Sequence, residues 1–148
     1  MVHQRRAALI AGAALITDRI FKAVAQSLPD GVSVQLVPGV AEFTLFKNPG
    51  IAFSLNVSGP VVWLISLAIL AAVIVIGARD LRRGRGERLF AYALFVLGAF
   101  SNLYDRIAYG YTVDYLLFFG RSAVNAADAM ILAGALLMFF TEPAKTPK

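Results

Sequence analysis

Apolar residues in this chain gather into four long runs, and the cleanest of them, residues 61–78 (VVWLISLAILAAVIVIGA), carries no charge at all. The others cover residues 7–28, 89–104 and 123–140. A helix that crosses a bilayer needs about 20 apolar residues, with a range of about 17–25. The second and fourth runs meet that length; the third meets it once polar residues at its outer end lie at the interface. The pattern predicts a mainly α, polytopic membrane protein with four transmembrane helices.

Between the first two runs the pattern changes. VSVQLV (32–37), EFTLF (42–46) and IAFSLNV (51–57) are rich in β-branched and aromatic residues, and Pro38-Gly39 and Asn48-Pro49-Gly50 break them. Such runs bounded by turn residues read as strands, and Pro followed by Gly suits the centre of a type II turn. The expectation is a small antiparallel β-sheet over about 32–57, on the extracytoplasmic membrane surface.

Composition sharpens the class. Hydrophobic residues make up 59% of the chain and charged residues 16%, with mean hydropathy +0.71, against about 45–50% and about 25% in a soluble domain. The 148 residues show no boundary, so one domain, 1–148, is expected. The net charge of +5 could suggest nucleic acid, but its distribution follows membrane topology. Arg5 and Arg6, the loop residues Arg79, Arg82, Arg83, Arg85 and Arg88, and Lys145 and Lys148 hold nine of the fourteen cations. Four alternating helices put those segments on one side, and the bias of Lys and Arg makes it the cytoplasmic side. Both termini are expected inside, segments 29–60 and 105–122 outside, and no nucleic-acid partner. A cleavable signal peptide ending near Ala23-Val24-Ala25 is the competing reading of the N-terminus; Asp18, Arg19 and Lys22 between apolar core and cleavage site oppose it. Asn56-Val57-Ser58 matches a glycosylation acceptor, a tripeptide too common to weigh.

The chain has no cysteine and a single histidine, His3, in the basic tail. Thiolate nucleophiles, Ser-His-Asp triads and His- or Cys-based metal centres are therefore out of reach, and no metal or cofactor is expected. Ionisable groups within spans are expensive and usually functional, and here they cluster at the outer helix ends. Asp18 and Lys22 share a helix face; they read either as an ion pair with Lys22 snorkelling outward or as a charged wall to a polar cavity. Gly98, Asn102 and Asp105, with Arg106 beside them, line one face of the third helix. Asp114 lies among residues that prefer burial. Asn125 and Asp128 share the first turn of the fourth helix, where the helix dipole alone could account for an Asp. Asp114 and Asp128, fourteen residues apart, are joined by a short loop returning from helix three to helix four. Both then belong at one depth, and two carboxylates close together in a low-dielectric site share a proton. That pair can run aspartic-peptidase chemistry.

These residues fall in four blocks whose order resembles the lipoprotein signal peptidase (signal peptidase II) family over nearly the full chain. Asp18-Arg19-Ile20-Phe21-Lys22 is similar to its Asp-x-x-x-Lys, and Asn48-Pro49-Gly50-Ile51-Ala52-Phe53-Ser54 to its Asn-x-Gly-x-Ala-Phe-Ser. Asn102-Leu103-Tyr104-Asp105-Arg106 with Val113-Asp114-Tyr115 resembles its Gly-Asn-x-x-Asp-Arg and Val-Asp-Phe, and Asn125-Ala126-Ala127-Asp128 its Asn-x-Ala-Asp. The resemblance implies an aspartic endopeptidase that cuts diacylglyceryl-modified prolipoproteins before the lipidated cysteine. It places the catalytic dyad on Asp114 and Asp128. Supporting roles fall on Asn48, Gly50, Asn102, Asp105, Arg106 and Asn125, with Asp18 and Lys22 as the helix-one pair. The implied setting is the bacterial inner membrane with the site at the outer leaflet; prolipoprotein and membrane lipids are the expected partners, and a monomer the expected state. The chain departs from the family pattern at Leu97 and Ser101, where glycines stand, and at Val124, where an aromatic stands. Three rival readings remain open: a silent paralogue that binds prolipoprotein or lipid, a proton or ion relay, and a Ser/Lys peptidase using Ser54 with Lys22 or Lys47.

Overall fold

A computed structural model of the chain describes residues 2–50 and 59–141. The elements run α1 (Val2–Gln26), β1 (Ser33–Val37), β2 (Ala41–Asn48), α2 (Gly59–Arg82), α3 (Leu89–Tyr109), β3 (Thr112–Phe118), β4 (Ser122–Val124) and α4 (Ala126–Phe140). Four helices and a small antiparallel sheet match the mainly α architecture expected. The third strand run, 51–57, with Ser54 and Asn56-Val57-Ser58, lies outside the described residues, as do Lys145 and Lys148.

The boundaries differ where an apolar run is a poor ruler for a helix. α1 begins at Val2, because Arg is a good helix former and the basic tail simply continues the helix. α2 likewise carries on through Arg79 and Arg82. α3 continues to Tyr109, so Asp105 and Arg106 are helical; it ends at Gly110, whose φ of 82° only glycine adopts cheaply and whose N–H bonds Arg106 O at 3.0 Å.

The sheet is a correction. The segment joining α3 to α4 is no simple loop but two further strands, giving a four-stranded antiparallel sheet in the order β1-β2-β3-β4. β3 pairs with β2 in a register that sets Phe46 opposite Asp114 and Asn48 opposite Thr112. β3 turns into β4 through residues 119–121: Phe119 and Gly120 are both at positive φ, as in a type I′ turn, Arg121 N–H bonds Phe118 O at 3.0 Å, and the ladder resumes at the Phe118–Ser122 pair. The Pro38-Gly39 turn holds as expected: Gly39 sits at φ 69° and Val40 N–H bonds Val37 O at 3.0 Å.

α3 is the central helix. Ala11 of α1, Leu94 of α3 and Met130 of α4 meet in one buried cluster, with Leu97 packed against it. α3 and α4 approach closely at two glycines: a Cβ on Gly98 would stand 2.6 Å from Ala127 O, and one on Gly134 would stand 2.7 Å from Ala91 O. Small residues are how helices make such contact in a bilayer. The sheet rests on α1 through Phe21, Phe43 and Tyr115, whose ring centroids lie 5.5–6.1 Å apart.

Large apolar side chains cover the outside: Leu9, Ile16 and Ile20 on α1, Leu64, Leu67 and Ile74 on α2, Leu132 and Phe139 on α4 are all exposed. An apolar surface of this extent marks contact with a membrane. α2 has, over Pro60–Arg82, the length and hydropathy needed to span a bilayer by itself, with mean hydropathy 2.8 across its most apolar 18 residues.

Candidate active site

Two carboxylates sit where the sheet meets the helices. Asp114 comes from the middle of β3 and Asp128 from the first turn of α4. Neither is met by an ion pair among the described residues; both are held by amides. Asn125 joins them. As the N-cap of α4 its Oδ1 accepts the Asp128 N–H at 2.9 Å, and its own N–H donates to Asp128 Oδ2 at 3.1 Å. This capping box satisfies donors that every helix start leaves orphaned. With its oxygen committed, Asn125 can turn only its NH2 toward Asp114, and it donates to Asp114 Oδ1 at 2.6 Å.

The other two amides are locked the same way. Asn48 accepts Gly50 N–H on Oδ1 at 3.1 Å, an Asx turn, and donates Nδ2 to Asp114 Oδ2 at 2.9 Å. Asn102 accepts Lys22 Nζ on Oδ1 at 2.8 Å and donates Nδ2 to Asp128 Oδ1 at 2.8 Å. In each case a donor-only neighbour fixes which end of the amide faces the acid.

Burial pushes the Asp114 carboxyl up to about 6, with the negative Asp128 pushing the same way and the bonds from Asn48 and Asn125 holding it back. A carboxyl poised there gives or takes a proton near neutral pH, as general acid–base work requires.

Behind the acids lies a second buried group. Asp18, Lys22 and Asp105 are fully inaccessible. Lys22 Nζ reaches Asp105 Oδ2 at 2.6 Å and Asp18 Oδ2 at 3.3 Å. Arg19 binds the other Asp105 oxygen at 2.5 Å and stacks 4.6 Å over the Tyr104 ring. Asp105 also accepts Val113 N–H at 3.2 Å, fixing the strand one residue before Asp114. Asp18 Oδ1 accepts Ala127 N–H at 3.1 Å, fixing α4 one residue before Asp128.

Of the two readings of Lys22, snorkelling outward is overturned. Its best carboxylate partner is on another helix, so the ammonium turns inward. Asn48, Gly50, Asn102, Asp105, Asn125, Asp18 and Lys22 thus converge on the two acids directly or through one neighbour. Arg106 is half-buried; it makes no ion pair among the described residues, but its charge acts on Asp128, Asp114 and Asp105. Sequence reasoning missed Arg19, Tyr115 and Ser101 as part of this group. Ser101 was findable: it stands four residues before Asp105, on the same helix face.

A family model described as Signal peptidase (SPase) II matches residues 10–142. The chain belongs to the lipoprotein signal peptidase family. A lipoprotein signal peptidase of Bifidobacterium adolescentis is 36% identical over 147 residues, covering 92% of this chain and 77% of that protein. One of Sinorhizobium fredii is 35% identical over 146 residues, covering 91% and 84%. A solved structure described as a bacterial membrane enzyme obtained by the in meso method superposes with a TM-score of 0.74 at 24% identity, covering 90% of each chain; it supports the fold. Membership of the signal peptidase II family gives the chain a hydrolytic role at a membrane.

Proposed function

We propose that the chain is an intramembrane aspartyl endopeptidase that removes the signal peptide from diacylglyceryl-modified prolipoproteins, cutting before the lipidated cysteine. The observation that carries this reading is the shared Asn125, which bonds Asp114 through its side chain and Asp128 through both side chain and backbone. The family then supplies the substrate class.

The pair works as a singly protonated unit. The ionised acid takes a proton from a water molecule while the protonated acid donates to the scissile carbonyl oxygen. The water oxygen bonds to the carbonyl carbon; as the C–N bond breaks, the leaving amine takes a proton from the pair, and the former carbonyl oxygen, re-forming C=O, returns its proton to the pair. One proton enters from water and one leaves with the amine, so the pair returns to its starting state. Asn48, Asn102 and Asn125 hold both acids in place without contributing charge. Acyl chains anchored in the outer leaflet bring the cleavage site to the depth of the acids, and that confinement supplies much of the rate. This orientation puts both termini and the arginine-rich α2–α3 loop in the cytoplasm.

The test uses purified protein in lipid vesicles with a synthetic signal-sequence peptide, with and without a diacylglyceryl group on its cysteine. The expected result is one cut, on the amino side of the lipidated cysteine, and none in the unmodified peptide. A protein that binds the lipidated peptide but never cuts it would instead be the silent paralogue.

A further inference from the structure

Ser101 stands where the family pattern has a glycine, yet it is one of the most thoroughly buried polar residues in the chain, at 1% exposure. Its hydroxyl lies where α1 meets α3, among three charged side chains. The single hydroxyl proton goes to Asp18 Oδ2 at 2.6 Å. The oxygen lone pairs are left to Arg19 Nη1 at 3.3 Å and Lys22 Nζ at 3.4 Å.

The consequence for Lys22 follows from counting donors. An ammonium has three N–H groups. With Ser101 supplying the close bond to Asp18 Oδ2, Lys22 stands off that oxygen at 3.3 Å. It spends its two short contacts on Asp105 Oδ2 at 2.6 Å and Asn102 Oδ1 at 2.8 Å. The contact to Asn102 is the shorter of two that set which way that amide faces, since Oδ1 also accepts from Asn125 Nδ2 at 3.1 Å. With Oδ1 held by an ammonium, only Nδ2 can face Asp128, which it reaches at 2.8 Å. Without the hydroxyl, Asp18 would lose its closest donor and draw the ammonium toward itself, away from Asn102.

We propose that Ser101 is a positioning residue for the reaction: by satisfying Asp18 it leaves Lys22 free to hold the Asn102 amide in the orientation that donates to Asp128. This rests on Asp114 and Asp128 being the reacting pair. The hydroxyl touches neither acid and acts only through Lys22 and Asn102.

Ser101→Ala removes one oxygen and leaves the packing of the helix pair otherwise intact. The expected result for cleavage of the diacylglyceryl peptide is a kcat about tenfold lower with KM unchanged, the size of one charge-assisted hydrogen bond made crooked. In an Asn102→Ala background, Ser101→Ala should cost nothing further, because the path it acts through is gone. A purely structural serine would instead lower kcat by the same factor in both backgrounds, and a Ser101→Ala variant with wild-type kcat would also overturn the proposal. A second readout does not need turnover: the Asn102 side-chain NH2, followed by nuclear magnetic resonance in micelles, should exchange with solvent at least about tenfold faster in Ser101→Ala, since exchange follows opening of the bonds that hold the group. Unchanged exchange would overturn the proposal. A wild type that does not cleave would sink the peptidase reading alone, and the exchange rate would still decide whether Ser101 fixes Asn102.

Discussion

Two acid pairs lie near the junction of sheet and helices, Asp18 and Asp105 fully buried, Asp114 buried and Asp128 half-buried, and they are held by opposite means. Asp18 and Asp105 are met by Lys22 and Arg19, two cations for two carboxylates. Asp114 and Asp128 are met by Asn48, Asn102 and Asn125, which carry no charge. Where cations are supplied, the acids become structural: Asp105 fixes β3 and Asp18 fixes the start of α4. Where amides make the contacts and Arg106 and Lys22 act only at a distance, the proposed mechanism has the two acids settle their repulsion by sharing a proton. One group builds the platform, and the other is the pair to which the proposed mechanism assigns the chemistry.

The largest expected difference between them is in cleavage. Asp114→Asn or Asp128→Asn should reduce cleavage of a lipidated peptide by at least about 10³-fold, since each removes a general acid–base group. The same variants should unfold within about 1 kcal/mol of wild type, because an amide can replace a proton-sharing acid in a network of amides. Full activity in either variant would mean that the pair is not the reacting centre.

Lys22→Met tests the other group. It leaves Asp18 and Asp105 buried with one cation between them, and truncating a buried pair costs about 3–5 kcal/mol. Denaturation in detergent micelles should show that loss. A stability equal to wild type would mean that the cluster is not held by charge and that the contrast with the amide-bound acids is false.

The sequence was legible where a single segment decides the outcome. Charge-free runs marked the helices, and Asn125 with Asp128 marked the start of α4. It failed where partners come from far along the chain. Lys22 reads equally as a snorkelling residue or as a wall to a polar cavity until Asp105 of another helix is brought beside it. The hairpin of β3 and β4 went unread because its turn is Phe119-Gly120, not one of the Asn-Gly pairs that announce a type I′ turn, and because β3 finds its partner strand some 70 residues earlier. Thr112–Phe118 has the β-branched and aromatic composition of a strand, but in the sequence it reads only as part of the loop returning from helix three to helix four. Ser101 looked like a lost glycine because the carboxylate it serves is on α1.

The most direct test of the central claim, that the acids at 114 and 128 sense one another at close range, is an infrared titration. The protonated carboxyl of Asp114, identified by its absence in Asp114→Asn, should lose its proton near pH 6 in the wild-type protein. Its acidity is held down first by burial and then by the charge of Asp128, so replacing that charge must let the proton leave at lower pH. In Asp128→Asn the transition should move toward the ordinary carboxylate range yet stay above it, because burial persists. A midpoint unchanged by Asp128→Asn would show two acids that do not feel each other, and would contradict the account.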